Sequence, residues 1–189
     1  MISIIIPVHE RIEFLAECIE SCLNQTYPDY EIIIVKSGSH TEVEKTLNAY
    51  KTKLRIIEIN ENNHAIKLNK GIENSKGEWI KTCSSDDMLT PNCLEVFSKN
   101  RDKNKFYYSY FHYINQYNVI TNTYDNISIV AGYFHKSLWE KLGKFNPSVV
   151  YEDKDFIDKV PKSDFVKLDE ITALYRNHIG QTTKTLQQR

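Results

Sequence analysis

The stretch Ser84-Ser85-Asp86-Asp87 sets two carboxylates side by side, which costs solvation and repulsion wherever they are half buried. A divalent cation removes that cost. Hard carboxylate oxygens suit Mg2+ or Mn2+, ions that keep some of their waters and bind substrate phosphates as well. The same residues also suit an Asx turn or a helix cap ahead of Pro91. A second acidic group, Glu152, Asp153 and Asp155, stands at the start of a predicted helix, where the helix dipole alone favours it. Tyr175, Arg176 and His178 cluster near the C-terminal end before a small-residue loop. Taken alone, that segment reads as surface with a polar rim.

The elements that must position these groups alternate in the first half. Residues 2–6 form an apolar, β-branched run that Pro7 ends, the pattern of a strand buried on both faces. Ile12, Leu15, Ile19, Cys22 and Leu23 recur at helical spacing, with Glu13, Glu17 and Glu20 on other faces. Further strands are expected over 31–35, 54–59 and 79–83, with helices over 42–50 and 65–75, the latter stopped by Gly77. Strands alternating with helices imply βαβ units and a parallel sheet, whose ligands bind at the carboxyl ends of the strands. Residues 7–10, 36–39 and 84–87 then share one edge.

The second half reads differently. Tyr and Phe with intervening Asn and Thr over 105–124 suit mixed or antiparallel strands. Another strand is expected over 127–134, with short helices over 136–142 and 152–160. Aromatic residues 107–113 suit either a sugar-stacking platform or a half-buried sheet face.

Composition narrows the function classes. A chain of 189 residues is long enough for one domain with a full core. With 24 basic and 25 acidic residues, no general positive field draws it to nucleic acid or anionic lipid, so any phosphate must be held locally. The apolar run before Pro7 is too short for a signal peptide or a transmembrane helix, and the expectation is a soluble, cytoplasmic protein with peripheral membrane association left open. Cys18, Cys22, Cys83 and Cys93 show neither a CxxC pair nor a His at zinc spacing, which suggests reduced, partly buried thiols.

In order along the chain, these segments resemble the inverting glycosyltransferases of family 2, which have the GT-A fold. SIIIPVHERIEFLAECIESCLNQTYPDYEIIIV resembles the family's nucleotide-binding start, KLNKGIENSKGEWI its lead-in to the metal motif, and SSDDMLTPNCLE the aspartate-rich motif itself. HKSLWEKLGKFNPSVVYEDKDF is similar to the segment that holds the catalytic base, and LYRNH to the late motif that closes over the nucleotide. The resemblance implies an α/β GT-A domain over 1–189, with a Rossmann-like, mostly parallel sheet flanked by helices and a smaller mixed-sheet region. Residues 1–100 would bind the nucleotide sugar, and 101–189 would face the acceptor and supply the base.

By the same resemblance, Asp86 and His178 hold a divalent metal, Mn2+ or Mg2+, under the donor diphosphate. Asp153 is the base that takes the acceptor's hydroxyl proton, with Glu152 beside it. Pro7, His9 and Glu10 lie against the nucleoside, Lys67 and Asn69 near ribose or phosphates, and Ser37, Ser84, Ser85 and Arg176 complete the donor contacts. The donor would be a nucleoside-diphosphate sugar, and the acceptor a glycan, a lipid-linked glycan or a protein. The chain departs from the family at Ser37 and Ser84, where the family usually carries Asp. A serine donates as well as accepts, so these departures weaken the inference of a uridine donor and favour a thymidine or guanosine diphosphate sugar, or a weakened or even inactive enzyme.

Two other functions remain open at this stage. A non-catalytic nucleotide-sugar- or partner-binding module of the same fold would explain Ser37 and Ser84 but not the retained Glu152 and Asp153. A nucleotidyltransferase would need a glycine-rich, basic phosphate loop, which Pro7-Val8-His9-Glu10 does not provide. Transfer releases a nucleoside diphosphate, whereas nucleotidyl chemistry releases pyrophosphate.

Overall fold

The structure is a computed structural model that describes residues 1–9 and 13–178. The expected contributions of Glu10 and Ile12 fall outside the described residues, as does the small-residue loop after His178. The first half carries β1 (Ile2–Val8), α1 (Leu15–Leu23), β2 (Tyr30–Ser37), α2 (Thr41–Tyr50), β3 (Arg55–Ile59), α3 (His64–Glu73) and β4 (Trp79–Thr82). These strands pair in parallel in the order β3-β2-β1-β4. The second half adds β5 (Met88–Leu89), α4 (Cys93–Ser98), β6 (Phe106–Asn115), β7 (Ile120–Tyr124), β8 (Gly132–His135), α5 (Lys136–Lys141), α6 (Glu152–Asp158) and β9 (Phe165–Asn177). The sheet continues without a break as β4-β8-β6-β9-β5, with β7 paired to β6. Beyond β4 the pairing is mixed: β8 is antiparallel to both β4 and β6, whereas β9 runs parallel to β6.

Strand β1 is apolar on both faces because each face meets a helical layer. Ile2, Ile4 and Ile6 pack with Leu15, Ile19 and Cys22 of α1, whereas Ile5 packs with Leu68 and Ile72 of α3 on the other side. Helix α3 approaches β1 most closely at Gly71. A Cβ there would overlap Ile5 Cγ2 and come within 3.1 Å of Val35 Cγ2. Gly71→Ala should therefore lower the melting temperature by several degrees. Overpacking costs about 1–3 kcal/mol, and each kcal/mol moves a chain of this length by about 2–4 °C. An unchanged melting curve would mean that α3 can lift off the sheet without penalty.

Several sequence expectations need correction. Pro7 does not end β1 but sits inside it, opposite Val35 of β2. The pairing with β4 stops at Thr82, and Cys83 N donates to Ile5 O. Alternate residues of a strand turn their backbone groups to opposite neighbours, so the N–H that proline lacks would point where β4 has already left, and no ladder bond is lost. The strand expected over 127–134 begins as a 3-10 turn at Ile129–Ala131 and becomes extended only in β8. The 13-residue β9 has no counterpart in the expected elements. It carries Tyr175 and Arg176 inside the sheet, where surface was expected.

Candidate functional site

The carboxyl ends of the parallel strands converge as the topology requires. His9 follows β1, and its Nδ1 lies 3.1 Å from both Ser37 Oγ and Ser37 O at the end of β2. Gly38 then turns the chain with φ +76, which an L side chain would strain, and the ring of His40 packs edge-on against His9. Residues 84–87, which include Ser84 and Ser85, form a tight turn after β4, closed by Asp87 N donating to Ser84 O at 3.0 Å. A cleft beside this turn is lined by Pro7, His64, Thr82, Ser84 and Asp87.

The turn separates the two aspartates. Asp87 points inward and accepts 2.9 Å from Arg176 N in β9. Burial, then the charge of Asp86, holds its carboxyl well above the usual carboxylate range. Asp86 has a different partner: its Oδ2 lies 3.1 Å from His178 Nε2, with both side chains mostly buried. A carboxylate oxygen and an imidazole nitrogen at this separation match two adjacent corners of an octahedron with bonds of about 2.1 Å, which would be about 3.0 Å apart. The pair therefore fits a divalent ion that takes its remaining ligands from phosphate and water.

Arg176 is held inside the fold. It is wholly buried, and its guanidinium donates to Asp86 O at 2.9 Å, Asn118 Oδ1 at 2.6 Å and Glu17 Oε2 at 2.8 Å. Its planar face covers the ring of Phe14, 4.1 Å from the centroid. A rigid fork suits this role as a clamp that joins the aspartate turn to α1, to the β6–β7 hairpin and to β9. Asn69 is likewise engaged within the fold. Its amide donates to Phe145 O and accepts from Trp139 Nε1 and Phe145 N, so it fastens α3 to the segment after α5. Lys67 is buried, and its ammonium donates to Asn62 Oδ1 at 2.9 Å; burial pushes its pKa down to about 8.

The second acidic group opens α6. Glu152 Oε1 lies 2.5 Å from Nδ1 of His64, the first residue of α3. Burial alone would raise the Glu152 pKa, but the hydrogen bond and charge of His64 outweigh it and leave the carboxyl below its usual range. Asp153 is shifted the other way, raised by burial first and then by Glu152, while its Oδ1 accepts from Lys154 N. Adjacent carboxylates pushed in opposite directions are a common arrangement for dividing roles at a site. His64 also lines the cleft of the aspartate turn and so links the two acidic groups.

The model of Glycosyl transferase family 2 matches residues 3–154. The chain belongs to this family. An uncharacterized glycosyltransferase of Rickettsia prowazekii (strain Madrid E) is 28% identical over 211 residues, covering 98% of this chain and 66% of that protein. A poly(ribitol-phosphate) beta-glucosyltransferase of Bacillus spizizenii (strain ATCC 23059 / NRRL B-14472 / W23) is 38% identical over 100 residues, 49% of this chain and 16% of that protein. Among solved structures, S. aureus TarS in complex with UDP-GlcNAc superposes with a TM-score of 0.80 at 15% identity, over 97% of this chain and 60% of that one. This family 2 chain therefore spans two thirds or less of the relatives it matches, and the structural likeness supports the GT-A, Rossmann-like fold.

Within this family 2 chain, sequence reasoning missed three residues that shape the site. Glu17 reads as the solvent face of α1, and Asn118 as a turn residue, which its positive φ of 62 fits; neither carries a signal that it would meet Arg176. His64 did carry one, since it follows the helix-capping Asn63, whose side chain accepts from Ile66 N, at the ligand-binding edge of the sheet. The aromatic run also splits. Tyr107 is buried against Trp79 and Tyr133, whereas Tyr113 packs with Tyr124 and Tyr175 at centroid distances of 4.5 and 4.8 Å. No helix among the described residues is long and apolar enough to cross a membrane.

Proposed function

We propose that this chain moves a sugar from a nucleoside-diphosphate donor to an acceptor hydroxyl with inversion, in the synthesis of a polysaccharide or glycoconjugate. The observation that carries the reading is the pairing of Asp86 with His178 on the aspartate turn, beside a cleft whose lining includes His64, the partner of Glu152. Asp86 and His178 would hold Mn2+ or Mg2+, which when bound neutralises the charge that builds on the departing diphosphate. His9 and Ser37 contact the nucleoside, with Pro7 beside them, and Ser84, Ser85 and Lys67 lie toward ribose and phosphates. Asp153 accepts the proton of the attacking hydroxyl, and Glu152, held by His64, orients the acceptor. Attack opposite the leaving group in one displacement inverts the sugar carbon. The complexes of TarS with UDP-GlcNAc and of a Pyrobaculum calidifontis mannosyltransferase with GDP-Man and Mn2+ support the donor and metal classes. Four free cysteines fit a reducing compartment, so we assign the reaction to the cytoplasm.

A thermal-shift series tests this directly. The protein is melted with uridine, thymidine, guanosine and cytidine diphosphates and their sugars, each with and without Mn2+. A ligand that binds the folded state raises the melting temperature by mass action, so the expected result is a shift that needs both one nucleotide and the ion. A folded protein that shifts with none of them would overturn the donor site.

A further inference from the structure

Three thiols meet beneath the aspartate turn. Cys18 and Cys22 stand one helical turn apart on α1 and share a face, and Cys83 reaches them from the end of β4. Their sulfurs all lie within 4.8 Å of one another, with Cys18 Sγ 3.7 Å from Cys83 Sγ. The three residues are 0%, 0% and 4% exposed. The carbonyl oxygen of Ser84 closes the fourth side, 3.3 Å from Cys18 Sγ and 3.7 Å from Cys83 Sγ. Core packing accounts for a buried cysteine on its own, and Cys93 is an example. It does not account for three sulfurs gathered within 4.8 Å of one another with a carbonyl against two of them.

The dimensions select a class of ion. Tetrahedral Zn2+ with bonds of about 2.3 Å to sulfur and about 2.1 Å to oxygen places sulfurs about 3.8 Å apart and oxygen about 3.6 Å from sulfur. The carbonyl distances to Cys18 and Cys83, 3.3 and 3.7 Å, lie close to these values, and the longest sulfur edge would contract by at most about 1 Å. Three thiolates around a divalent ion leave one net negative charge. Lys81 supplies the opposite charge from within the core: it is fully buried, its ammonium donates to the neutral carbonyls of Thr82 and Val130 at 2.8 and 2.7 Å, and its field reaches Cys83. Cys83 also lines the cleft, which gives an entry route.

We propose that Cys18, Cys22, Cys83 and the Ser84 carbonyl form a structural site for one thiophilic divalent ion, Zn2+ by its donor set, distinct from the hard-ion pair Asp86 and His178. On binding, each sulfur gives a lone pair to the ion and releases its proton to solvent, with no change of oxidation state. The bound ion would tie the Ser84 carbonyl to α1 and so stiffen the turn that presents Asp86. The site itself does not depend on the transferase reading.

Co2+ is the probe, because thiolate ligation gives it an intense sulfur-to-metal absorption in the near ultraviolet that oxygen and nitrogen ligands lack. The full chain, reduced, stripped of metal and kept anaerobic, is titrated with Co2+. We expect the band to saturate at one equivalent and to be displaced by Zn2+. Cys22→Ser should remove it, while Cys93→Ser and Asp86→Ala leave it unchanged. Absence of the band from folded wild-type protein, or saturation only with a large excess of Co2+, overturns the site whether or not the Cys22 variant folds. A band that survives Cys22→Ser or disappears in Asp86→Ala does so too.

Discussion

Replacing Asp153 with asparagine should leave donor binding intact and lower the transfer rate by roughly 10²–10⁴-fold, the usual contribution of one positioned proton acceptor. Asparagine keeps the shape and can still accept from Lys154 N, so the variant removes the proposed base and little else. Stability provides the control. Burial raises the Asp153 pKa in the folded chain, so the stabilisation from its protonated form is present at low pH and lost as pH rises through the folded value. At neutral pH the ionised carboxylate is therefore a cost that a neutral amide does not carry, and the variant should melt no lower than wild type. The rate should also have an acid limb above the pKa of an exposed aspartate, because Asp153 is competent only after it loses its proton. Near-normal turnover in Asp153→Asn would remove it as the base.

The pairing of Glu152 with His64 explains why the raised group is Asp153 rather than its neighbour. An imidazole at the start of α3 pulls Glu152 down, and the remaining charge of Glu152 adds to burial in pushing Asp153 up. Sequence order puts 88 positions between His64 and Glu152. Only the fold brings them together, so the opposite shifts of Glu152 and Asp153 could not be read from YEDKD alone.

How far the sequence could be read follows the same line between local and distant causes. Strands β1 and β2 are unbroken apolar runs because both faces are covered, and a pattern of that kind needs no knowledge of partners. Strand β9 was hidden because Lys167, Asp169 and Glu170 break its alternation on a partly exposed stretch, and its register against β6 shifts beside Tyr110. Strand β5, only two residues long, has no pattern to detect. At the site, the resemblance named Asp86 and His178 as a pair, which the geometry brings to 3.1 Å. It also named Arg176 and Asn69 as donor contacts. The structure shows both bonded within the fold, where Glu17 and Asn118 reach Arg176, and Trp139 and Phe145 reach Asn69, from distant segments. The three converging thiols were invisible for the same reason, since Cys83 lies 65 positions from Cys18.

Asp86→Ala should abolish the metal-dependent part of donor binding. Partners one shell out from a metal typically contribute 10–100-fold to its affinity, so loss of one of two protein ligands should weaken Mn2+-dependent donor affinity by at least about 100-fold. The nucleoside contacts proposed for His9 and Ser37 lie at the ends of other strands and should survive, which leaves weak, metal-independent binding. The fold should survive as well. Asp86 is part of what raises the Asp87 pKa, so deleting its charge relieves a like-charge contact. Arg176 meanwhile bonds to the backbone carbonyl of residue 86, which alanine retains. Calorimetry with nucleoside diphosphate and Mn2+, compared with the same titration in chelator, separates the two components. Equal affinity in wild type and variant with Mn2+ present would exclude Asp86 as a ligand and return the aspartate turn to a purely structural role.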